Sequence, residues 1–533
     1  MLCAAFVCML PILGPVLLAD ELSLSFKVEL IQGLLENDDA GEYYEESFYK
    51  PIWTGPNKAS VLRRSALIEA LKNADVHALP KENYHLKTIL GMVENAKTHA
   101  DLGALEAKLT KSFLLYAKQV HSGVVRPSKI DDAIARKISY VPTRDFLDGL
   151  VAGDPVRFIK SLPPQSEEYH RLLRARQDLL RIQEHGGWGP LVPLGKYRLG
   201  DSGLQIIQLR DRLVSKGYLK RSMSVEFDQE MLSAVIQFQS DHGLALDGIA
   251  GVSTISEINR SIIERLKSVT VAIERERWQN KGRLGVSELA PRKILVNLTD
   301  FTAKIIDDGK ITFQTRSVVG ADEDDRRSPE FSDVMEHMVI NPTWYVPRSI
   351  TVNEYLPELQ ADPTAHNYLT LFSPVDGITI PREEVDFTVF DEDTFPFEMK
   401  QAPSTSNALG LVKFMFPNRH NIYLHDTPHK NLFMKEERTF SHGCIRLQDP
   451  FEFAYELLAL QSADPILDFQ SILQTGKETT VVLHQPVPVH IIYRTAVSTE
   501  GGRMGYRRDI YGRDAMIFVA LSEAGVVIRQ NQG

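Results

Sequence analysis

The chain has 533 residues, 43% of them hydrophobic and 24% charged, and a net charge of −10. That length exceeds one ordinary hydrophobic core and predicts about two to four domains. The acidic balance, with no Lys/Arg block to offset it, argues against nucleic acid as a partner.

Residues 1–19 read as a signal peptide. Leu2 to Leu18 carry no charge and Ala19 precedes the first acidic residue. The run is short for a membrane span and fits an export signal, although no Lys or Arg precedes it. The competing reading is a buried N-terminal helix. The cysteines are Cys3, Cys8 and Cys444, so removal of the leader leaves Cys444 as the only thiol. A lone thiol in an oxidising compartment has no intramolecular disulfide partner and is either buried and inert or reactive. No later apolar run is long enough to span a bilayer. The expectation is an exported protein with no transmembrane span.

Residues 20–190 are expected to form a helical scaffold. Ser60 to Ala78, Asp101 to Val120 and Tyr169 to Ile182 each repeat apolar residues at helical spacing. The arginines of the last stretch, Arg171, Arg174, Arg176 and Arg181, read as a solvated helix face. Gly186-Gly187-Trp188-Gly189-Pro190 ends it. Residues 195–265 suggest three short helices. The first ends near Lys216-Gly217, Asp228 caps the second, and Ile255, Ile258 and Ile262 line the third. The words Ala234-Val235-Ile236-Gln237-Phe238-Gln239, Gly243-Leu244, Asp247-Gly248, Gly251 and Thr254 resemble the three-helix peptidoglycan-binding domain. That resemblance implies wall glycan or stem peptide as a ligand.

Residues 292–487 change to strand periodicity. Lys293–Leu298, Ala303–Ile306 and Ile311–Val319 read as strands, with Asp307-Asp308-Gly309-Lys310 as a hairpin turn. Met338–Asn341, Val412–Phe416 and Asn421–His425 read likewise. Between them, residues 347–410 are polar and proline-interrupted. They are expected to be either a lid loop or a surface insertion. Asp449-Pro450-Phe451-Glu452 starts a helix that would clamp the segment before it. Residues 488–533 are expected to return to strands.

The chemistry concentrates in Ser441-His442-Gly443-Cys444-Ile445-Arg446-Leu447, with Tyr423-Leu424-His425-Asp426-Thr427 upstream. A thiol nucleophile needs a base and donors for an oxyanion. His425 reaches Cys444 if their strands are neighbours, and His442 is the alternative base. Backbone N–H groups around Gly443 and Cys444 are candidate oxyanion donors. Arg446 shares the Cys444 face if the segment is extended. Asp426 faces away from His425 in a strand. Ser441 and Tyr423 are candidate supports. The rival chemistry is zinc held by His425, His429, His442 and Cys444, but Pro428 stops His425 and His429 sharing a helix.

Together these motifs, with Lys413-Phe414, Phe416-Pro417-Asn418, Leu432-Phe433 and Asp509-Ile510-Tyr511-Gly512-Arg513-Asp514, resemble the L,D-transpeptidase family in its large Gram-negative branch. The resemblance implies a multidomain α+β protein: helical scaffold, three-helix peptidoglycan-binding domain, and a β-rich, sandwich-like catalytic domain with a lid insertion. It also implies Cys444 as nucleophile, His425 as proton donor and acceptor, and backbone donors near Gly443. No cofactor or metal is implied. The expected reaction forms a thioester on a peptidoglycan tetrapeptide stem, releases D-alanine and transfers the stem to an amine in a 3→3 cross-link. The expected location is the periplasm, with peptidoglycan and other wall-synthesis enzymes as partners and carbapenems as inhibitors. A zinc or hydrolytic wall peptidase and a non-catalytic wall binder are the alternatives.

Overall fold

A computed structural model describes residues 23–279, 291–499 and 502–528. The expected signal peptide, with Cys3 and Cys8, lies outside them. The chain divides into two compact units. One takes residues 1–132, 136–288 and 495–533, and the other takes 133–135 and 289–494.

The first unit is helical. Its longest helix, His99–Ser122, is started by a capping box in which Thr98 and Asp101 each bond the other's backbone N–H. Leu105, Leu109, Phe113 and Ala117 recur at i, i+4 and are buried. They share a core with Phe26, Leu30 and Leu34 of the helix Leu24–Leu34. Gly103 sets how closely the two helices approach, because a Cβ there would lie 2.3 Å from the Phe26 carbonyl oxygen. The same core holds a fully buried carboxylate, Glu106. It accepts hydrogen bonds from the Tyr44 hydroxyl (2.7 Å) and from the Ile52, Trp53 and Thr54 backbone N–H groups.

The helix Glu167–Glu184 carries the arginine run. Arg171, Arg174 and Arg181 are exposed as expected, but Arg176 is buried and donates to the Asp75 carbonyl at 2.8 Å. The 195–265 segment has helices Leu204–Ser215, Gln229–His242 and Val252–Ile258. Asp228 caps the second, accepting from the Met231 N–H at 2.9 Å. Gln239 is buried because it holds the Asp247–Gly248 turn, accepting from the Gly248 N–H and donating to Asp247. Ile262 does not extend the third helix. A Ser261–Glu264 capping box starts a separate helix there, Ile262–Trp278.

The expectation of strands across 488–533 is corrected. After the last sheet strand come a hairpin, Ala496–Ser498 with Met504–Tyr506, and a helix, Arg513–Glu523. Asp514, Ile517 and Leu521 are buried at spacings of 3 and 4, the helical period.

The second unit is built on strands. β1 (Arg292–Asn297), β2 (Thr302–Asp307) and β3 (Lys310–Gly320) form an antiparallel meander. Asp308 and Gly309 link β2 to β3 with φ of 48° and 80°, as a two-residue hairpin requires. β4 (Phe331–Ile340), β5 (Trp344–Tyr345), β6 (Thr370–Phe372), β7 (Glu398–Gln401), β8 (Val412–Met415), β9 (Leu424–His425), β10 (Thr439–Ser441), β11 (Ile445–Leu447) and β12 (Thr479–Ile492) follow. Nine of these strands make one sheet, ordered β10-β3-β11-β9-β8-β4-β12-β1-β2, and β2 pairs back onto β3. The sheet therefore closes on itself. The mixed α+β class with a β-rich second unit is the one observed.

The helix Pro450–Leu458 follows β11 at once. The Asp449 carboxylate before it accepts from the Thr315 hydroxyl of β3 at 2.8 Å, and Phe453 packs edge-on against Phe414 of β8 at 4.9 Å. These contacts tie the helix to β3 and β8 of the sheet. Residues 347–410 are not a bare loop. A helical run from Arg348 to Ala361, with a π-turn at Thr351–Tyr355, joins the three-stranded sheet β5-β7-β6. They close over their own core, which includes Trp344, Leu356, Leu359, Leu371, Phe387 and Met399. These apolar residues follow no single helix or strand period, so the core is created by pairings distant in sequence.

Candidate active site

β9 lies between β8 and β11. Arg446 of β11 pairs with His425 of β9, and His425 pairs with Lys413 of β8. Paired residues share a sheet face, so Lys413, His425 and Arg446 form a row across three strands. Their neighbours Phe414, Leu424 and Ile445 are buried on the other face. Cys444 ends the turn between β10 and β11 and stands half-buried, two residues before Arg446. Tyr423 precedes His425 by two, with ring centroids 5.6 Å apart.

His425 is buried, and its Nδ1 lies 2.5 Å from the Asp426 carbonyl oxygen. A carbonyl only accepts, so Nδ1 carries the proton and Nε2 keeps its lone pair. Burial, together with the Arg446 and Lys413 cations, pushes the imidazole down to about 3 against the pull of its carbonyl hydrogen bonds. The Asp426 side chain turns the other way, as strand alternation predicts. It accepts from the Leu411 N–H at 2.9 Å and pairs with Lys430 at 2.7 Å. The group orienting the imidazole is thus a backbone carbonyl.

Burial pushes the Cys444 thiol up to about 11, while Tyr423 hydrogen bonds and the Arg446 and Lys413 cations act to lower it. Its Sγ contacts the Asn421 carbonyl at 3.6 Å. Thiol and imidazole are therefore both neutral near pH 7, in a face that carries two cations. Arg446 Nε is buried with no hydrogen-bond partner among the described residues.

Ser441 organises the turn. Its hydroxyl accepts from the Gly443 N–H at 3.2 Å and donates to the Cys444 carbonyl. Gly443 has φ of 102°, a conformation that favours glycine, and its carbonyl accepts from the Ser328 hydroxyl at 2.6 Å. The Gly443 N–H, a candidate oxyanion donor from the sequence, points at the Ser441 hydroxyl in this structure. The Cys444 N–H has no partner among the described residues and is the open donor of the turn.

His442 lies apart from this face. Its Nε2 donates to Glu354 at 2.7 Å, and Arg326 reaches the same carboxylate oxygen at 2.8 Å. Glu354 belongs to the π-turn of the 347–410 insertion, so His442 fastens the nucleophile turn to that insertion. The zinc set proposed from the sequence is not gathered: His429 is exposed, and among the described residues no three His, Cys, Asp or Glu side chains converge as metal ligands.

Sequence reasoning missed Lys413 and Glu354 as site residues. Lys413 had a signal, a lone cation between Val412 and Phe414 in an apolar strand. Glu354 had none, since its partner lies 88 residues away.

Residues 291–483 match the family described as "L,D-transpeptidase catalytic domain", 38–175 the "Scaffold domain" and 202–258 the "Putative peptidoglycan binding domain". The chain is 30% identical over 300 residues to a Haemophilus influenzae protein named "Putative L,D-transpeptidase", a stretch covering 55% of this chain and 59% of that relative. It is also similar to two solved L,D-transpeptidase structures. The one from Xylanimonas cellulosilytica is 12% identical with a TM-score of 0.18, covering 57% of this chain and 98% of that one. The one from Stackebrandtia nassauensis is 15% identical with a TM-score of 0.21, covering 57% and 97%. At those TM-scores the structural likeness carries no argument. Three segments of the chain thus match models of an L,D-transpeptidase catalytic domain, a scaffold domain and a putative peptidoglycan binding domain, and the chain spans less than two thirds of the curated relative it matches.

Proposed function

We propose that this protein is a peptidoglycan L,D-transpeptidase acting in the periplasm, with Cys444 as nucleophile and His425 as proton acceptor and donor. The observation that carries the reading is the Lys413–His425–Arg446 row beside the Cys444 turn, inside the segment that matches the catalytic domain. Because thiol and imidazole are both neutral, the Cys444 proton passes to His425 Nε2 as Sγ attacks the carbonyl carbon of the third stem residue. The oxyanion is received by the Cys444 N–H, and Arg446 and Lys413 favour the negative charge on sulfur and oxygen. The carbon–nitrogen bond to D-alanine breaks, and His425 returns the proton to the leaving amine. The side-chain amine of a second stem then attacks the thioester, giving a 3→3 link, and its proton restores the thiol. No cofactor enters the balance.

The test is mass spectrometry of products from purified protein and a disaccharide-tetrapeptide. The expected product is a cross-linked dimer lacking one D-alanine, absent with Cys444→Ala. A carbapenem is expected to add covalently at Cys444. Dimer formation by Cys444→Ala, or its loss to a chelator, would overturn the thiol mechanism. Tripeptide without dimer would make water the acceptor, and no turnover would favour a wall binder.

A further inference from the structure

Within the helical unit lies a cavity of about 450 Å³ that the transfer reaction does not use. The helix Glu167–Glu184 supplies one wall through Arg171, Arg174, Ala175 and Asp178, spaced so that they share a face. Past that helix, Gly186, Gly187 and Gly189 all have positive φ and bring Trp188 back over the cavity. The peptidoglycan-binding segment adds Lys216, Tyr218 and Phe238, and the C-terminal hairpin adds Arg503, Met504 and Tyr506. Three parts of the chain far apart in sequence thus build one pocket.

Its charge is lopsided. Arg171, Arg174, Lys216, Arg265 and Arg503 line it against a single acid, Asp178, in a chain whose net charge is −10. Three of these cations have acidic partners: Arg171 with Glu167, Arg265 with Glu257, and Arg503 with Asp241 at 2.7 Å. Arg174 and Lys216 have none among the described residues. The Lys216 ammonium lies 3.3 Å from the Trp188 ring centroid, with no hydrogen bond to satisfy it. Burial and the Arg265 and Arg212 cations hold it well below the usual lysine range. The buried Trp188 indole N–H has no hydrogen-bond partner among the described residues either. An anion would satisfy these groups together, and the faces of Tyr218, Phe238 and Tyr506 offer its apolar part a surface.

We propose that this cavity binds a carboxylate-bearing peptide of the wall, the peptidoglycan stem, at a second site distinct from the Cys444 turn. The choice of a stem peptide over another anion rests on the wall-acting function proposed above and on the match of residues 202–258 to a peptidoglycan-binding domain. The carboxylate is received by Lys216, Arg174 and the Trp188 N–H. The site then holds the protein on the polymer while other stems are processed.

The experiment uses the full chain carrying Cys444→Ala, so that nothing turns over, and measures its binding to purified peptidoglycan sacculi by co-sedimentation. Adding Lys216→Met with Arg174→Met is expected to weaken binding about tenfold or more. Lys216→Arg alone keeps the charge and is expected to bind like the parent, which separates a lost contact from a lost fold. Sacculi whose carboxyl groups have been amidated are expected to bind the parent as poorly as native sacculi bind the double variant. Unchanged binding by a double variant with the parental melting temperature, or equal binding of native and amidated sacculi, overturns the proposal. Failure of the transferase reading is recorded elsewhere, as absence of turnover by the unmodified chain.

Discussion

Glu106 and Cys444 are both polar groups held in apolar surroundings, and their neighbours treat them differently. Donors from Tyr44, Ile52, Trp53 and Thr54 surround the Glu106 carboxylate, which has nothing left to offer a ligand. Around Cys444 the groups are gathered but left open. Sγ has one long carbonyl contact and the Tyr423 hydrogen bonds, while the Cys444 N–H and Arg446 Nε have no partner among the described residues. A closed network fixes one packing of a core, whereas an open one keeps its capacity for a reacting group. The difference between a structural and a reactive polar centre is read here from what remains unsatisfied.

Four measurements sharpen or break that contrast. The largest effect is expected from Cys444→Ala, which removes all dimer formation while leaving the melting temperature unchanged. A fall in stability comparable to that of a core mutant would mean the thiol is a packing residue. His425→Gln is expected to lower the transfer rate by about 10²–10⁴-fold, read from initial rates. Glu106→Ala belongs to the other class. It strands three buried backbone N–H groups and is expected to cost about 3 kcal/mol in urea unfolding of the helical unit. The smallest effect is that of Lys413→Met, which takes one cation from the thiol. Alkylation of Cys444 by iodoacetamide at pH 8 is expected to slow about threefold, its pH midpoint moving up. A faster reaction would show that Lys413 does not favour the thiolate.

The same contrast has a pH signature. His425 is held near 3 in the folded state, against about 6.5 for a free imidazole. Between those values the unfolded chain binds a proton that the folded chain refuses. This contribution to stability is therefore present above about pH 6.5 and is lost as pH falls toward 3. Urea midpoints across that window are expected to drop more steeply for the unmodified chain than for His425→Gln.

Much of the site was legible because it lies on short strands with strict alternation. That pattern puts Arg446 on the face of Cys444 and turns Asp426 away from His425. The long helices were legible for the same kind of reason: His99–Ser122 and Glu167–Glu184 repeat their apolar residues at the helical period. What escaped was set by partners far away in sequence. The Gly443 N–H looked free until the Ser441 hydroxyl was placed on it. Glu354 acquires meaning only beside His442, and the insertion has a core only once β5, β6 and β7 have paired. In the last 40 residues, short apolar runs suggested strands where burial of Ile517 and Leu521 calls for a helix.

The order in which the chain visits its two units has a consequence for synthesis. The helical unit is left after residue 288 and regained only at Thr495, so the ribosome makes the whole nine-stranded sheet before the helical unit has all its parts. The part regained there carries Asp514, which pairs with Arg275 at 2.9 Å in the helix Ile262–Trp278, made more than two hundred residues earlier. Until then Arg275 waits without this carboxylate. A chain stopped just after β12 would keep Cys444, His425 and Arg446 yet leave the helical unit unfinished, its folding dependent on the stretch that follows Thr495.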